Sequence, residues 1–319
     1  MALYKIISEQ QFPVSSDDEV FNVVPDFPNM KLTMNDFEPE FAHPEPGEHT
    51  DFYTEEFVAT ENSQGVIVNS FCELEPEFLD YWNREALPRA WCIGPLGLPS
   101  GKKALLEQNR HPIWIEWLDE MSEMNKPVLY VAFGSVTDIT TEQFREIAIV
   151  LENSREHFLW VLRLPSIDRD EFMIEFEERV KGRGLLVKNQ WVDQVGILSS
   201  LNMSHCGWNS VLESICESVP MLGFPITADQ HLNARMVEEY FGIGVKVVTR
   251  TGSVRGFFGS ECIEKKVKEL MRVEGEKCKE IRKNVKKLSE KARNAMEVGG
   301  SSWHTLNLLI DEVICGKKN

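Results

Sequence analysis

Trp191-Val192-Asp193-Gln194, then His205-Cys206-Gly207-Trp208-Asn209-Ser210, then Glu213, then Asp229-Gln230: these residues decide how the chain is read. An apolar lead, Val195 to Leu201, runs into a turn of small and polar residues, and a helix is expected from about Asn209 to Glu217. Small residues at a strand-to-helix turn let backbone approach a ligand, and the N–H groups of a helix start attract anions. Gly207 removes the side chain that would block that approach. His205, Asn209 and Ser210 add neutral donors for phosphate oxygens. Glu213 lies one helical turn past Asn209, where an acceptor-only carboxylate suits ribose hydroxyls. Asp229 and Gln230 follow a proline-bearing turn and suit sugar hydroxyls. Trp191 offers a flat face for a base.

The chain has 319 residues, of which 42% are apolar, enough for two domains or one large one. Its formal charge is −17, from 34 basic and 51 acidic residues, which argues against a nucleic-acid partner. A diphosphate ligand remains compatible with that charge, because helix-end amides and neutral donors bind anions without a lysine or arginine field. The seven cysteines are scattered and odd in number, as expected of free thiols in the cytoplasm. The N-terminus, from Met1 to Lys5, opens no apolar run of signal-peptide length. No stretch approaches the roughly 20 apolar residues of a membrane span.

From about His111 onward, strand and helix patterns alternate. Helices are expected over Pro112 to Asp119, Thr141 to Asn153 (capped by Thr140 or Thr141), His231 to Tyr240, Ser260 to Met271, Glu276 to Glu297 and Trp303 to Ile314. Strands are expected over Val128 to Phe133, Phe158 to Arg163, Leu185 to Val187 and Gly244 to Val248. Upstream, Gly65 to Phe71 reads as a buried strand and Glu73 to Trp82 as a helix. Such alternation predicts an α/β fold, a parallel sheet with helices on both faces and ligands at the carboxyl ends of its strands. Gly134-Ser135 and the turn at 204–210 share that edge. Residues 1 to about 60 are acidic and rich in proline, and taken alone could be a disordered tail.

The stretch 191–230 resembles the signature box of the plant-type family 1 UDP-glycosyltransferases, which opens W-x-x-Q, holds H-C-G-W-N-S and E-S, passes V-P and ends D/E-Q. Here these are Trp191, Gln194, His205 to Ser210, Glu213-Ser214, Val219-Pro220 and Asp229-Gln230. The resemblance implies the GT-B architecture, with a Rossmann-like C-terminal domain. It implies that Trp191 stacks on uracil, with the backbone near Val192 and Gln194 at its edge. His205, Asn209 and Ser210 would hold the diphosphate beside Gly207, and Ser135 would lie on the phosphate-side loop. Glu213 would hold the ribose, and Trp208, Asp229 and Gln230 would face the sugar. The donor would be UDP-glucose or a related UDP-sugar, since a terminal glutamine leans to glucose, and the acceptor a small phenolic or other hydroxyl. Transfer would invert the anomeric centre, with no metal and no cofactor.

By the same resemblance, residues 1–96 are a remnant of the acceptor-binding N-terminal domain and 97–110 a linker. Residues 111–300 form the UDP-sugar domain, and 301–319 a helix packing back towards the N-terminal part. The family's histidine base and its acidic partner belong to an early segment with no match in this sequence. His43, His49 and His111 lie in polar or proline-flanked surroundings and do not fit that role. Two outcomes follow: a transferase, or a truncated, catalytically inactive member that at most binds UDP-sugar. The box is also four residues shorter than the family pattern, the shortfall falling between Leu198 and Ser204, and Asn202-Met203 is a poor substitute for a buried strand. Ser218 stands where glycine is usual. Asp168-Arg169-Asp170 mimics a metal motif but lies in a charged, loop-like stretch. His205-Cys206 lacks the further ligands of a metal site, and Cys206 lacks the base of a nucleophile.

Overall fold

The computed structural model describes residues 16, 19–21, 31–37, 47–86, 88–97, 112–134, 139–163, 171–190, 192, 194–197, 201–253, 255–272 and 274–315. It divides into two compact units, Met1–Leu98 with Leu288–Asn319, and Pro99–Lys287.

In the first unit, β1 (Val66–Val68) and β2 (Ala90–Cys92) pair in parallel, with Val66 opposite Ala90. α1 (Glu48–Glu61) precedes them and α2 (Pro76–Glu85) joins them. Pro76 sits in the first turn of α2, where its missing N–H costs nothing. The helix therefore starts later than the expected Glu73. In the acidic N-terminal stretch, Phe21 and Leu32 form an antiparallel bridge, and both are buried with Met34 and Phe37. α11 (Ser301–Cys315) packs on β2. Ser302 Oγ donates to Gly94 O at 2.5 Å, and Ser301 Oγ to a Glu73 carboxylate oxygen at 2.8 Å.

The second unit holds a six-stranded sheet. Its strands are β3 (Val128–Ala132), β4 (His157–Leu162), β5 (Gly184–Lys188), β6 (Leu201–Ser204), β7 (Met221–Gly223) and β8 (Gly244–Lys246). All neighbours are parallel, in the order β5-β4-β3-β6-β7-β8. The helices are α3 (Ile113–Glu123), α4 (Thr141–Ser154), α5 (Glu171–Val180), α6 (Gln194–Ile197), α7 (Trp208–Cys216), α8 (Gln230–Arg235) and α9 (Ser260–Met271). α10 (Glu276–Met296) runs on from this unit into the first. α8 passes directly into a π-helical turn, Met236–Tyr240, at the end of the expected helix. Thr140 caps α4, its hydroxyl accepting from Gln143 N–H.

Both faces of the sheet are covered, which is why its strands read as nearly unbroken apolar runs. Alternate residues divide between two cores. Leu129, Val131, Phe158, Trp160, Leu201 and Met203 enter one, with Phe144 of α4 and Phe176 of α5. Val128, Tyr130, Leu159 and Val161 enter the other, with Ile197 of α6 and Val219. Trp160 is fully buried, stacked on Phe144 (ring centroids 4.5 Å apart) and meeting Phe176 edge-on.

One expectation is overturned. Asn202-Met203 do form a central strand: β6 pairs with β3 and β7, and all four of its residues are buried. Tertiary pairing outweighs the weak strand preference of asparagine. The motif at 168–170 lies outside the described residues. Among the described residues no cluster of three metal-binding side chains occurs, and no helix is long and apolar enough to cross a membrane.

Candidate functional site

The strand order is that of a doubly wound nucleotide-binding sheet, 3-2-1-4-5-6, and it reverses between β3 and β6. Ligands of such sheets sit at that reversal, beyond the carboxyl ends of the strands. Two segments lie there: Phe133-Gly134 after β3, and His205-Cys206-Gly207 between β6 and α7. Register brings them level, because Ala132 pairs with Ser204.

Glycine backbones crowd the Nε2 corner of the His205 ring. A Cβ on Gly207 would lie 2.5 Å from Nε2, and one on Gly134 would lie 2.9 Å from both Nε2 and Cε1. Gly134 also has φ +77°, a left-handed conformation that favours glycine. Ser204 Oγ lies 3.3 Å from His205 Nδ1. With that hydroxyl donating to Nδ1, the ring carries its proton on Nε2, at the glycine-lined corner. Burial holds the imidazole below its ordinary pKa, partly opposed by the Asp229 carboxylate. At neutral pH the group is therefore a neutral donor.

Cys206 takes φ +61° and is fully buried. Asn233 Nδ2 donates to its carbonyl oxygen at 3.0 Å and to Asp229 Oδ2 at 3.0 Å, pinning the turn. Burial pushes the Cys206 thiol up to about 12, partly opposed by a bond from the Phe224 amide, so this sulfur is no nucleophile. Gly207 is the N-cap of α7. The helix ladder begins with Val211 N–H donating to Gly207 O at 3.1 Å. The amides of residues 208–210 thus lie at the positive end of the helix.

The other expected residues gather around this turn. Gln194 opens α6 and its Nε2 donates to Ser210 Oγ at 3.2 Å, so the two ends of the box meet. Val192 is buried in the core, which leaves its backbone as the part able to meet a ligand. Asn209 is exposed, and Glu213, half-buried, stands one turn beyond it on the same face. Trp208 tilts against Phe241, ring centroids 6.4 Å apart. Asp229 is exposed. Gln230 is buried, and its Oε1 accepts from the amides of Ile226 (2.9 Å) and Thr227 (3.0 Å). That leaves its NH2 group to offer a sugar hydroxyl. Trp191 and Ser135 lie outside the described residues. Asn233 and Ser204 belong to the site and are not singled out by the sequence reading. The spacing of Asn233, four residues after Asp229 at a helix start, is the only local signal for it.

Comparison with known proteins identifies the family. The family model for UDP-glucoronosyl and UDP-glucosyl transferase matches residues 107–292. UDP-glycosyltransferase 90A1 of Arabidopsis thaliana is 43% identical over 309 residues, covering 94% of this chain and 63% of the relative. The chain therefore spans less than two thirds of that protein's length. Glycyrrhiza uralensis UGT73P12, solved with glycyrrhetinic acid 3-O-monoglucuronide, superposes with a TM-score of 0.83 at 30% identity, covering 98% of this chain and 67% of that one. Medicago truncatula UGT71G1, solved with UDP-glucose, gives a TM-score of 0.78 at 30% identity, covering 98% and 68%. The reversal of strand order, the glycine-lined histidine and the family match converge: this chain belongs to the UDP-glucoronosyl and UDP-glucosyl transferase family and has the α/β, Rossmann-like fold of the GT-B plant enzymes.

Proposed function

We propose that the second unit binds UDP-glucose or a closely related UDP-sugar, and that it serves as the donor half of an inverting transfer to a small-molecule hydroxyl. The observation that carries this reading is the placement of His205 and the α7 amides together at the strand-order reversal, beside two glycines. Diphosphate oxygens would be met by the amides of residues 208–210, the neutral His205 ring and the side chains of Asn209 and Ser210. As the leaving group departs, charge grows on those oxygens, and preorganised donors favour that state. Glu213 would accept from the ribose hydroxyls. Asp229 and the Gln230 NH2 would hold the sugar, and Trp191 would cover the uracil. Solved relatives hold UDP-glucose (UGT71G1) or UDP-2-fluoro-glucose with pterostilbene (Phytolacca americana UGT2), which supports a UDP-sugar and a small acceptor here.

The reaction would need no metal, since the charge of the leaving diphosphate is met by N–H groups. It would need a base within reach of the acceptor hydroxyl. Besides His205, the second unit's described histidines are His157, which opens β4 at the opposite sheet edge, and His231, which is buried in α8. His157 is at the amino end of its strand and His231 is buried, so the chemistry assigned to the donor-site residues is donor binding and leaving-group stabilisation. A cytoplasmic location fits the free thiols.

Calorimetric titration of UDP-glucose into the purified chain, into Trp191→Ala and into Glu213→Ala tests the reading. Binding by the unaltered chain and its loss in both variants is the expected result. Equal heats from all three would remove the donor site. Release of UDP in the presence of a phenol acceptor, followed in parallel, reports whether the chain alone completes the transfer.

A further inference from the structure

β6 carries a residue that its position does not call for. Asn202 lies in a central strand of a parallel sheet covered on both faces, and it is fully buried. Its strand neighbours Leu201 and Met203 enter one core, so Asn202 points to the opposite face. There its Nδ2 donates to Ser214 Oγ of α7 at 2.7 Å, and Ser214 is fully buried too. Among the described residues Asn202 Oδ1 has no hydrogen-bond partner. Exchanging the amide N and O leaves the count unchanged: one atom is paired and the other is not. A buried amide with an unmet acceptor is less favourable than an apolar side chain of similar size. Stability alone therefore does not account for the pair.

We propose that Asn202 is a positioning residue. Through Ser214 it fixes the rotation and height of α7 on the sheet, and so the aim of the amides at residues 208–210 towards a diphosphate. The inference rests on the donor-site reading above. α7 is otherwise seated by Val211, Leu212, Ile215 and Cys216, all buried. Such contacts tolerate small slides and rotations, because apolar attraction has no direction. A hydrogen bond at 2.7 Å does have one. Two points define a helix axis. The near point is the turn at Cys206, held by Asn233. The far point is Ser214, about 9 Å further along the helix from Trp208 at 1.5 Å per residue. Loss of the far point leaves the helix start free to tilt about the near one.

The test compares the unaltered chain with Asn202→Leu/Ser214→Ala, measuring melting temperature and the Kd for UDP well below melting. The double variant removes both polar partners and the unmet acceptor together, so it should melt at or above the unaltered temperature. Its UDP affinity should nevertheless fall, by about fivefold or more. Ser214→Ala alone, the mildest change, should weaken UDP as well, and carries the test if the double variant does not fold. Unchanged Kd in the variants, with or without a change in melting, would reduce the pair to ordinary packing and overturn the proposal. Absence of UDP binding by the unaltered chain would instead overturn the donor site itself, and this inference with it.

Discussion

Gly207→Ala probes the corner on which the site depends. The new Cβ would lie 2.5 Å from His205 Nε2, 3.2 Å from Cδ2 and 3.3 Å from Cε1. A relaxed contact needs about 3.5 Å, so the Nε2 corner must move by roughly 1 Å. The backbone would not object: Gly207 has φ −56° and ψ 141°, values alanine adopts freely. Replacing glycine at an N-cap by alanine costs about 1 kcal/mol, which in a chain of this size lowers melting by roughly 2 °C. The effect on ligand is larger. A hydrogen bond to a charged oxygen contributes about 1.5–3 kcal/mol, and displacing the ring forfeits it. UDP should therefore bind about 10- to 100-fold more weakly. Calorimetry would read this against Gly275→Ala, whose Cβ would meet only Arg272 O at an ordinary 3.4 Å and whose Kd should match the unaltered chain. Binding by Gly207→Ala within about twofold of the unaltered chain, with melting little changed, would show that the diphosphate does not sit at the imidazole.

Three further outcomes are expected. His205 has a folded pKa below its unfolded value, so its contribution to stability is present above about pH 6.5 and is lost as pH falls through the folded pKa; His205→Gln should show a shallower loss of denaturant stability from pH 7 to pH 5, and identical slopes would contradict a buried neutral ring. Because the described donors around the turn are uncharged or backbone groups, raising sodium chloride from 50 to 500 mM should weaken UDP-glucose less than about threefold, and a tenfold loss would reveal a cationic contribution to the site. Trp160→Phe removes an indole N–H that has no partner among the described residues and should cost about 1–2 kcal/mol, whereas Phe144→Ala, which strips the ring stacked on it, should cost about 3–5 kcal/mol by chemical denaturation.

Legibility followed local signal. β3 stands between Pro127 and Gly134 as an unbroken apolar run, and α4 starts at a threonine cap, so both are found within a residue or two. The turn at 205–210 is legible because its residue types are dictated by a ligand rather than by packing. α1 escapes notice because its apolar face is weak: Tyr53 and Phe57 are half-buried, whereas Phe52 and Val58 are exposed. The π-helical turn at 236–240 leaves no mark in the pattern, since one extra residue in a turn does not break helical spacing. Gln230 is visible as a motif residue, but its side-chain oxygen goes to the amides of Ile226 and Thr227, a local closure that residue identity does not reveal.

The box reads four residues short of the family pattern, and the register of β6 bears on what that does to the turn at 204–207. Counting residues along the chain suggests that removing four before Ser204 should rotate the turn. The sheet measures position differently. Leu129 pairs with Leu201, Tyr130 with Asn202, Val131 with Met203 and Ala132 with Ser204. Once that register is set, His205 emerges level with Phe133 whatever the length of the segment feeding β6. That segment enters β6 at its amino end, whereas the ligand edge is carboxyl. On the ligand edge the connection is made by Gln194 to Ser210, which persists at 3.2 Å. A one-residue slip of β6 would have turned Leu201 and Met203 towards the face beneath α7 and Asn202 into the opposite core, away from Ser214. The buried asparagine thus marks the register of β6, and the donor turn takes its position from that strand.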